Sequence, residues 1–258
     1  MKQFVLTPAA GKRLIAQGIA AHPAIGSALK EGTIVIVAGS TNGYVAEEVL
    51  ARIGRAKDFS KERFFRGVTL PPARAAKEGS PPPAAGGAGF PGDVVIAKGA
   101  WLEGKTIFDV VDDLREGDVV LKGANALDLA MRRAAIFVLH PKAGTIGAAV
   151  QAAVGRRVRL ILPVGVEKRV DGDLDDLAAR VNAPSSRGPC LFPVPGEVFT
   201  ELDAIALLTG ASAAITGAGG IGGAEGCVWL GVEGTPVEVD AAEQLISSVA
   251  GEPPFPIE

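Results

Sequence analysis

Five short apolar runs, each closed within a residue or two by glycine or proline, limit what this chain can fold into. They are Thr33–Ala38, Asp93–Ala97, Asp118–Leu121, Ala135–Leu139 and Val158–Leu162. Each is too short for a helix and too uniformly apolar for a strand with one wet face, so each reads as a strand buried on both sides. Helical patterns follow most of them: Tyr44, Val45, Val49 and Leu50 share a face after the first, Thr106–Leu114 follows the second, Ala126–Arg133 the third and Gly144–Val154 the fourth. Strands alternating with helices predict an α/β fold, a largely parallel sheet with helices on both faces in a three-layer, Rossmann-like arrangement.

The flanks add detail. Thr7 caps a first helix with Pro8 at its first position, and Leu14, Ile15 and Ile19 form its apolar stripe; a second short helix begins after His22-Pro23. Beyond residue 196, Glu197–Leu208 reads as a helix ending at Gly210. Cys227–Val232 and Pro236–Val239 read as a small antiparallel addition, and Asp240 caps a last helix to Val249. Pro71–Gly92 holds six prolines and five glycines. A boundary there would leave about 70 residues with one strong strand upstream, a poor core, so residues 1–258 read as a single domain carrying an exposed loop over 71–92.

With 26 Lys+Arg against 29 Asp+Glu, the net charge of −3 gives no global field for nucleic acid or anionic membrane. Two cysteines, Cys190 and Cys227, make neither a disulfide framework nor a Cys-rich zinc site. Uncharged Ala204–Ala224 carries too many glycines to read as a membrane span, and Met1–Leu6 has no long apolar run before Pro8. A cytoplasmic protein is expected, with no nucleic-acid or membrane partner and with room for a homo-oligomer.

Parallel sheets bind ligands beyond the carboxyl ends of their strands, where loops converge and helix N-termini present N–H groups. The residues after each run are therefore the ligand-binding candidates: Gly39, Ser40, Thr41 and Asn42; Lys98; Lys122, Gly123 and Asn125; Lys142 with Thr145; and Gly165. Lysines at strand ends suit an anion such as a phosphate or carboxylate. The same residues also suit tight turns with solvated lysines. Candidate catalytic groups are His140, Glu167, Asn125 and Glu225. Neither His22 nor His140 has a partner at metal-pair spacing, and Asp171–Asp176 reads as turns and helix ends, so no metal site and no cofactor are expected.

Two glycine patterns compete with that reading. Gly99–Thr106 fits G-x-x-x-x-G-K-[ST] between a predicted strand and a predicted helix. Trp101, Leu102 and Glu103 would crowd and repel a phosphate in it, and no later strand ends in a clear magnesium-binding Asp. Gly217–Gly222 fits G-x-G-x-x-G, but the residues beyond it read as strand, which removes the helix N-terminus a pyrophosphate needs.

The order of the loops resembles the superfamily of ribose-5-phosphate isomerase, glucosamine-6-phosphate deaminase, the CoA transferases and the lactate-utilisation proteins. Val37-Ala38-Gly39-Ser40-Thr41 before Glu47-Glu48-Val49-Leu50 is similar to the isomerases' first strand, G-S-T loop and helix. Lys122-Gly123-Ala124-Asn125 is similar to the superfamily's G-A-[DN] turn, and Gly144-Thr145 with Gly165-Val166-Glu167-Lys168 resembles the lactate-utilisation branch. The resemblance covers residues 33 to 168. It implies a sugar phosphate or acyl-CoA-like ligand and isomerase- or transferase-type chemistry. The isomerases' carboxylates are missing, since Ala124 is followed by Asn125 and Ala126, and a transferase nucleophile is placed only by conjecture at Glu167 or Glu225. The leading expectation is an enzyme acting on a small anionic metabolite. The alternatives are a non-catalytic ligand sensor or interaction protein, and a P-loop nucleotide binder using Gly99–Thr106.

Overall fold

The computed structural model describes residues 1–66, 69 and 90–255. In chain order its regular elements are β1 (Lys2–Leu6), α1 (Pro8–Ala21), α2 (Pro23–Glu31), β2 (Thr33–Ile36), α3 (Ser40–Ala51), β3 (Val94–Ala97), β4 (Ala100–Trp101), β5 (Val119–Leu121), β6 (Ala126–Asp128), β7 (Arg133–Val138), α4 (Gly144–Arg156), β8 (Arg159–Pro163), α5 (Leu174–Val181), β9 (Cys190–Val194), β10 (Glu197–Phe199), α6 (Glu201–Thr209), β11 (Ser212–Ala218), β12 (Val228–Glu233) and α7 (Pro236–Val249). The chain is mixed α/β. The Pro/Gly-rich stretch of residues 71–92 lies outside the described residues except for Phe90–Gly92.

A six-stranded sheet, ordered β10-β8-β5-β2-β3-β4, organises the molecule. β10, β8, β5 and β2 run parallel, with Val35 opposite Val120 and Val120 opposite Leu160. Val35, Ile36, Val120, Leu121, Ile161 and Leu162 are fully buried, which is why these strands read as unbroken apolar runs. α2 packs on β2, β3 and β5, and α4 packs on β8. Buried Leu14, Ile15 and Ile19 of α1 join the core that reaches from Leu6 to Val249. Thr7 does cap α1, its hydroxyl accepting from the Ala10 N–H at 3.1 Å.

Several sequence expectations are corrected. The run Asp93–Ala97 is not a parallel strand: β3 runs antiparallel to β2 and turns back at Lys98-Gly99, both at positive φ (48° and 77°), into β4. Apolar content sets burial but not direction; the two-residue left-handed turn then reverses the chain from β3 into β4. Thr106–Leu114 is two short 3₁₀ turns, the first closed by a Thr106–Asp109 capping box. Ala126–Arg133 is a strand and turn, and β7 leaves the main sheet for a separate antiparallel one ordered β6-β7-β9. Glu197–Phe199 is the fourth parallel strand, and the helix starts only at Glu201, after the Thr200 cap. Pro236–Val239 is the first turn of α7, capped by Thr235 with Glu238 returning to the Thr235 N–H, so Asp240 lies inside the helix. The C-terminal antiparallel addition is a third sheet, β1-β12-β11, completed by the N-terminal strand. Among the described residues no helix is long and apolar enough to cross a membrane.

Candidate functional site

The parallel strands all end at one edge, and side chains from seven chain segments gather there. After β2, the Val37 N–H donates to the Leu121 carbonyl at 3.0 Å. The fully buried Asn42 amide ties the same two strands together, donating to the carbonyls of Val37 (2.7 Å) and Leu121 (3.0 Å). Beside it the buried Thr41 hydroxyl and Asn42 Oδ1 have no protein partner. Because β3 is antiparallel, its first residues come to this edge. Buried Asp93 accepts from the N–H groups of Ala38 and Ile107, each at 2.9 Å, and from the Arg66 guanidinium at 2.7 Å. Arg66 in turn lies 4.9 Å from the ring of Phe90.

β5 delivers Lys122 and β8 delivers Glu167 and Lys168. Lys168 reaches back across the strand ends, its Nζ donating to the Ala124 carbonyl at 2.9 Å. Glu167 folds over Gly165 so closely that a Cβ on that glycine would lie 1.9 Å from Oε2. The helix after β10 opens with Glu201, only 1% exposed, whose Oε2 accepts the Val166 N–H at 2.9 Å. Its other oxygen rests against Gly11 of α1, where a Cβ would lie 2.5 Å away. Lys12, next on α1, adds a third ammonium, with the ring of Phe255 5.9 Å from its Nζ.

The electrostatics follow from this crowding. Burial, then the neighbouring Glu167, pushes the Glu201 carboxyl up to about 8, with the Val166 N–H and Lys168 opposing. Burial lowers Lys12, as does Lys168, while Glu167 and Glu201 work against the shift. Lys122 is half-buried; desolvation, then Arg66 and Lys168, bring it down to about 8 against the pull of Asp93. The site therefore sets a buried carboxyl that favours its proton beside Glu167, with the ammonium groups of Lys12 and Lys168 nearby. That combination can hold an anion and pass a proton.

Several of the residues expected from sequence meet here: Gly39, Ser40, Thr41 and Asn42 after β2, Lys122 and Gly123 after β5, Gly165 and Glu167 after β8. Gly39 is extended (φ 177°) with open space where a side chain would project, so its conformation does not demand glycine. Asn125 has a framework role, its Oδ1 accepting the Phe137 N–H and its own N–H donating to the Ala135 carbonyl. Lys98 is corrected: its N–H bonds the Gly32 carbonyl at the opposite end of β2. His140 and Lys142 sit in the exposed turn before α4, the imidazole accepting the Lys142 N–H, and Thr145 is buried in the first turn of that helix. Glu225 closes on the Gly223 N–H in the β11–β12 hairpin, the segment that contains Gly219–Gly222. Gly99–Thr106 forms a hairpin turn, β4 and a further turn with no helix after it, so the strand–loop–helix frame of a phosphate cradle is not there.

Lys168, at the end of Gly165-Val166-Glu167-Lys168, follows a predicted strand; Glu201, Lys12, Arg66 and Asp93 were not among the candidates. Glu201 is the one the sequence could have shown, because Thr200-Glu201-Leu202-Asp203 is a capping-box pattern that marks a helix start and places Glu201 just after a chain segment free to be a strand. Comparison of the chain with protein-family models, with curated proteins and with solved structures finds no match.

Proposed function

We propose that this chain is an enzyme that binds a small anionic metabolite across the carboxyl ends of β2, β5, β8 and β10 and moves a proton on it. We further propose that it belongs with the sugar-phosphate isomerase and CoA-transferase-like superfamily, with the three-layer Rossmann-like arrangement and cytosolic setting such a protein would have. The observation that carries the reading is the Glu201–Glu167 pair, one member buried and held neutral, set among Lys12 and Lys168. A buried carboxyl that retains its proton beside a second carboxyl group offers an acid next to a candidate base. Lysines and Arg66 hold the ligand's anionic group by charge. Glu167 takes the proton from the carbon beside a carbonyl as Glu201 gives its own to the carbonyl oxygen. The electron pair of the broken C–H bond forms the C=C bond of an enediol. Glu167 then returns its proton to the neighbouring carbon as the other enediol hydroxyl gives its proton back to Glu201 and becomes the new carbonyl, which completes an isomerisation.

The test is deuterium exchange. Short phosphorylated aldoses and ketoses and 2-oxo acids are incubated with the protein in D₂O and followed by proton NMR. The reading expects deuterium beside the carbonyl of a ligand that binds, slowed roughly 10²-fold or more in Glu201→Gln and Glu167→Gln. A ligand that binds saturably and never exchanges would mark a sensor and end the enzymatic reading. Exchange that survives both substitutions would remove the carboxyl pair from it.

A further inference from the structure

The three lysines at the strand edge are not equivalent. Lys168 Nζ is engaged by the Ala124 carbonyl, and Lys12 has the carboxyl groups of Glu167 and Glu201 acting on it. Lys122 stands at the end of β5, between β2 and β8 in the sheet, with Lys168 held on the Ala124 carbonyl two residues further on and Arg66 held on Asp93 at the same edge. Its nearest carboxylate, Asp93, already accepts from Ala38, Ile107 and Arg66. Among the described residues no carboxylate lies within ion-pair distance of the Lys122 ammonium.

We propose that Lys122 is a nucleophile that forms an imine with an aldehyde or ketone bearing an anionic group. The inference rests on the anion-binding reading of the same edge and gives it a substrate class, carbonyl compounds. A half-buried lysine near two other cations, with no ion-pair partner among the described residues and only the already engaged Asp93 opposing, gives up its proton more readily than an exposed one. Its lowered pKa of about 8 leaves roughly one side chain in ten as free amine at pH 7, against fewer than one in a thousand for an ordinary lysine. In the step itself the Nζ lone pair bonds to the carbonyl carbon, and the C=O π pair moves to oxygen. Both Nζ hydrogens then leave with that oxygen as water, and the C=N bond forms. Arg66 and Lys168 supply the positive charge that holds the ligand's anion and disfavours reprotonation of the amine.

Borohydride trapping tests this on the full chain. Glyoxylate, an anionic aldehyde, is added with sodium cyanoborohydride, which delivers hydride to an imine carbon and fixes it as a carboxymethyl amine; peptide mapping then locates the adducts. The expected result is saturable modification of Lys122, about 10-fold or more above exposed Lys57, Lys105 and Lys142. No adduct should appear at this position in Lys122→Met or in Lys122→Arg, which keeps the charge if the methionine variant fails to fold. Adducts spread over the exposed lysines with Lys122 spared would overturn the proposal. Glyoxylate that raises the unfolding midpoint of wild type and Lys122→Arg alike and leaves Lys122 unmodified would also overturn it, while the anion-binding reading survived. If neutral butyraldehyde modifies Lys122 as fast as glyoxylate does, the nucleophile stands and the anion-binding reading fails.

Discussion

The Glu201 carboxylate accepts the Val166 N–H at 2.9 Å, so the residue that opens α6 is bound to the turn that follows β8. This bond brings the ends of two neighbouring parallel strands into one site. Removing it in Glu201→Ala leaves a buried N–H unpaired, at a cost of about 1–3 kcal/mol, whereas Glu201→Gln retains an acceptor and should lose less. Urea unfolding of both variants at pH 5 checks this. Equal losses would mean that the bond contributes nothing.

The pH dependence has a definite sign. Glu201 keeps its proton in the folded protein up to about pH 8 but loses it near 4.5 when unfolded, so the folded state binds more protons between those values. Stability therefore falls as pH rises through that window, by at most about 1.4 kcal/mol per pH unit, and Glu201→Gln removes the fall. Lys122 acts oppositely: between about 8 and its ordinary 10.5 the unfolded state binds the extra proton, so stability rises with pH there. Relative to a double variant Glu201→Gln/Lys122→Met, wild type should thus show a stability minimum near pH 8. Wild-type and Glu201→Gln profiles running parallel from pH 5 to 8 would contradict the assignment.

Two glycines make room for the carboxyl pair and can be tested apart. Gly165 has ordinary backbone angles (φ −72°, ψ 142°), so alanine there costs no backbone strain, yet its Cβ would occupy the place of Glu167 Oε2. Gly165→Ala should unfold within about 1 kcal/mol of wild type while exchange chemistry is lost. At Gly11, inside α1, alanine favours the helix by about 1 kcal/mol but meets Glu201. Gly11→Ala should destabilise wild type and stabilise Glu201→Ala. The same sign in both backgrounds would show that Glu201 does not rest on Gly11.

Asp93 is the polar anchor on the far side of the site. It is 2% exposed and serves two N–H groups and Arg66. Asp93→Ala leaves a guanidinium and two amides unmatched and should cost about 3–5 kcal/mol in chemical denaturation. A loss below about 1 kcal/mol would mean that the network is not what fixes β3 to the strand edge.

Much of the parallel framework was legible in the sequence. β2, β5 and β8 carry fully buried apolar runs, and Thr7-Pro8 announces α1 by the chemistry of its cap. What did not show was direction and the short strand. Val94–Ala97 has the apolar content of a parallel strand, yet it pairs antiparallel to β2, and nothing in its composition marks that direction. Glu197–Phe199 is three residues long and flows straight into a capped helix, so the two read as one helix, and the missing strand hid Glu201. Asp93 and Lys12 could not be found by looking after strands. One precedes its strand, and the other lies on a helix that packs across the edge.

The most direct test of the claim that these strand ends form one anion site is a ligand titration followed by thermal unfolding. Ribose 5-phosphate and glyoxylate are titrated into wild type, Lys12→Met, Lys168→Met and, as a control from the opposite edge, Lys98→Met. A ligand bound at 100 times its Kd should stabilise the fold by about 2.7 kcal/mol. The account predicts a saturable rise in midpoint for wild type and Lys98→Met, weakened about tenfold or more in Lys12→Met and Lys168→Met. A rise that is equal in all four proteins, or lost only in Lys98→Met, would contradict it.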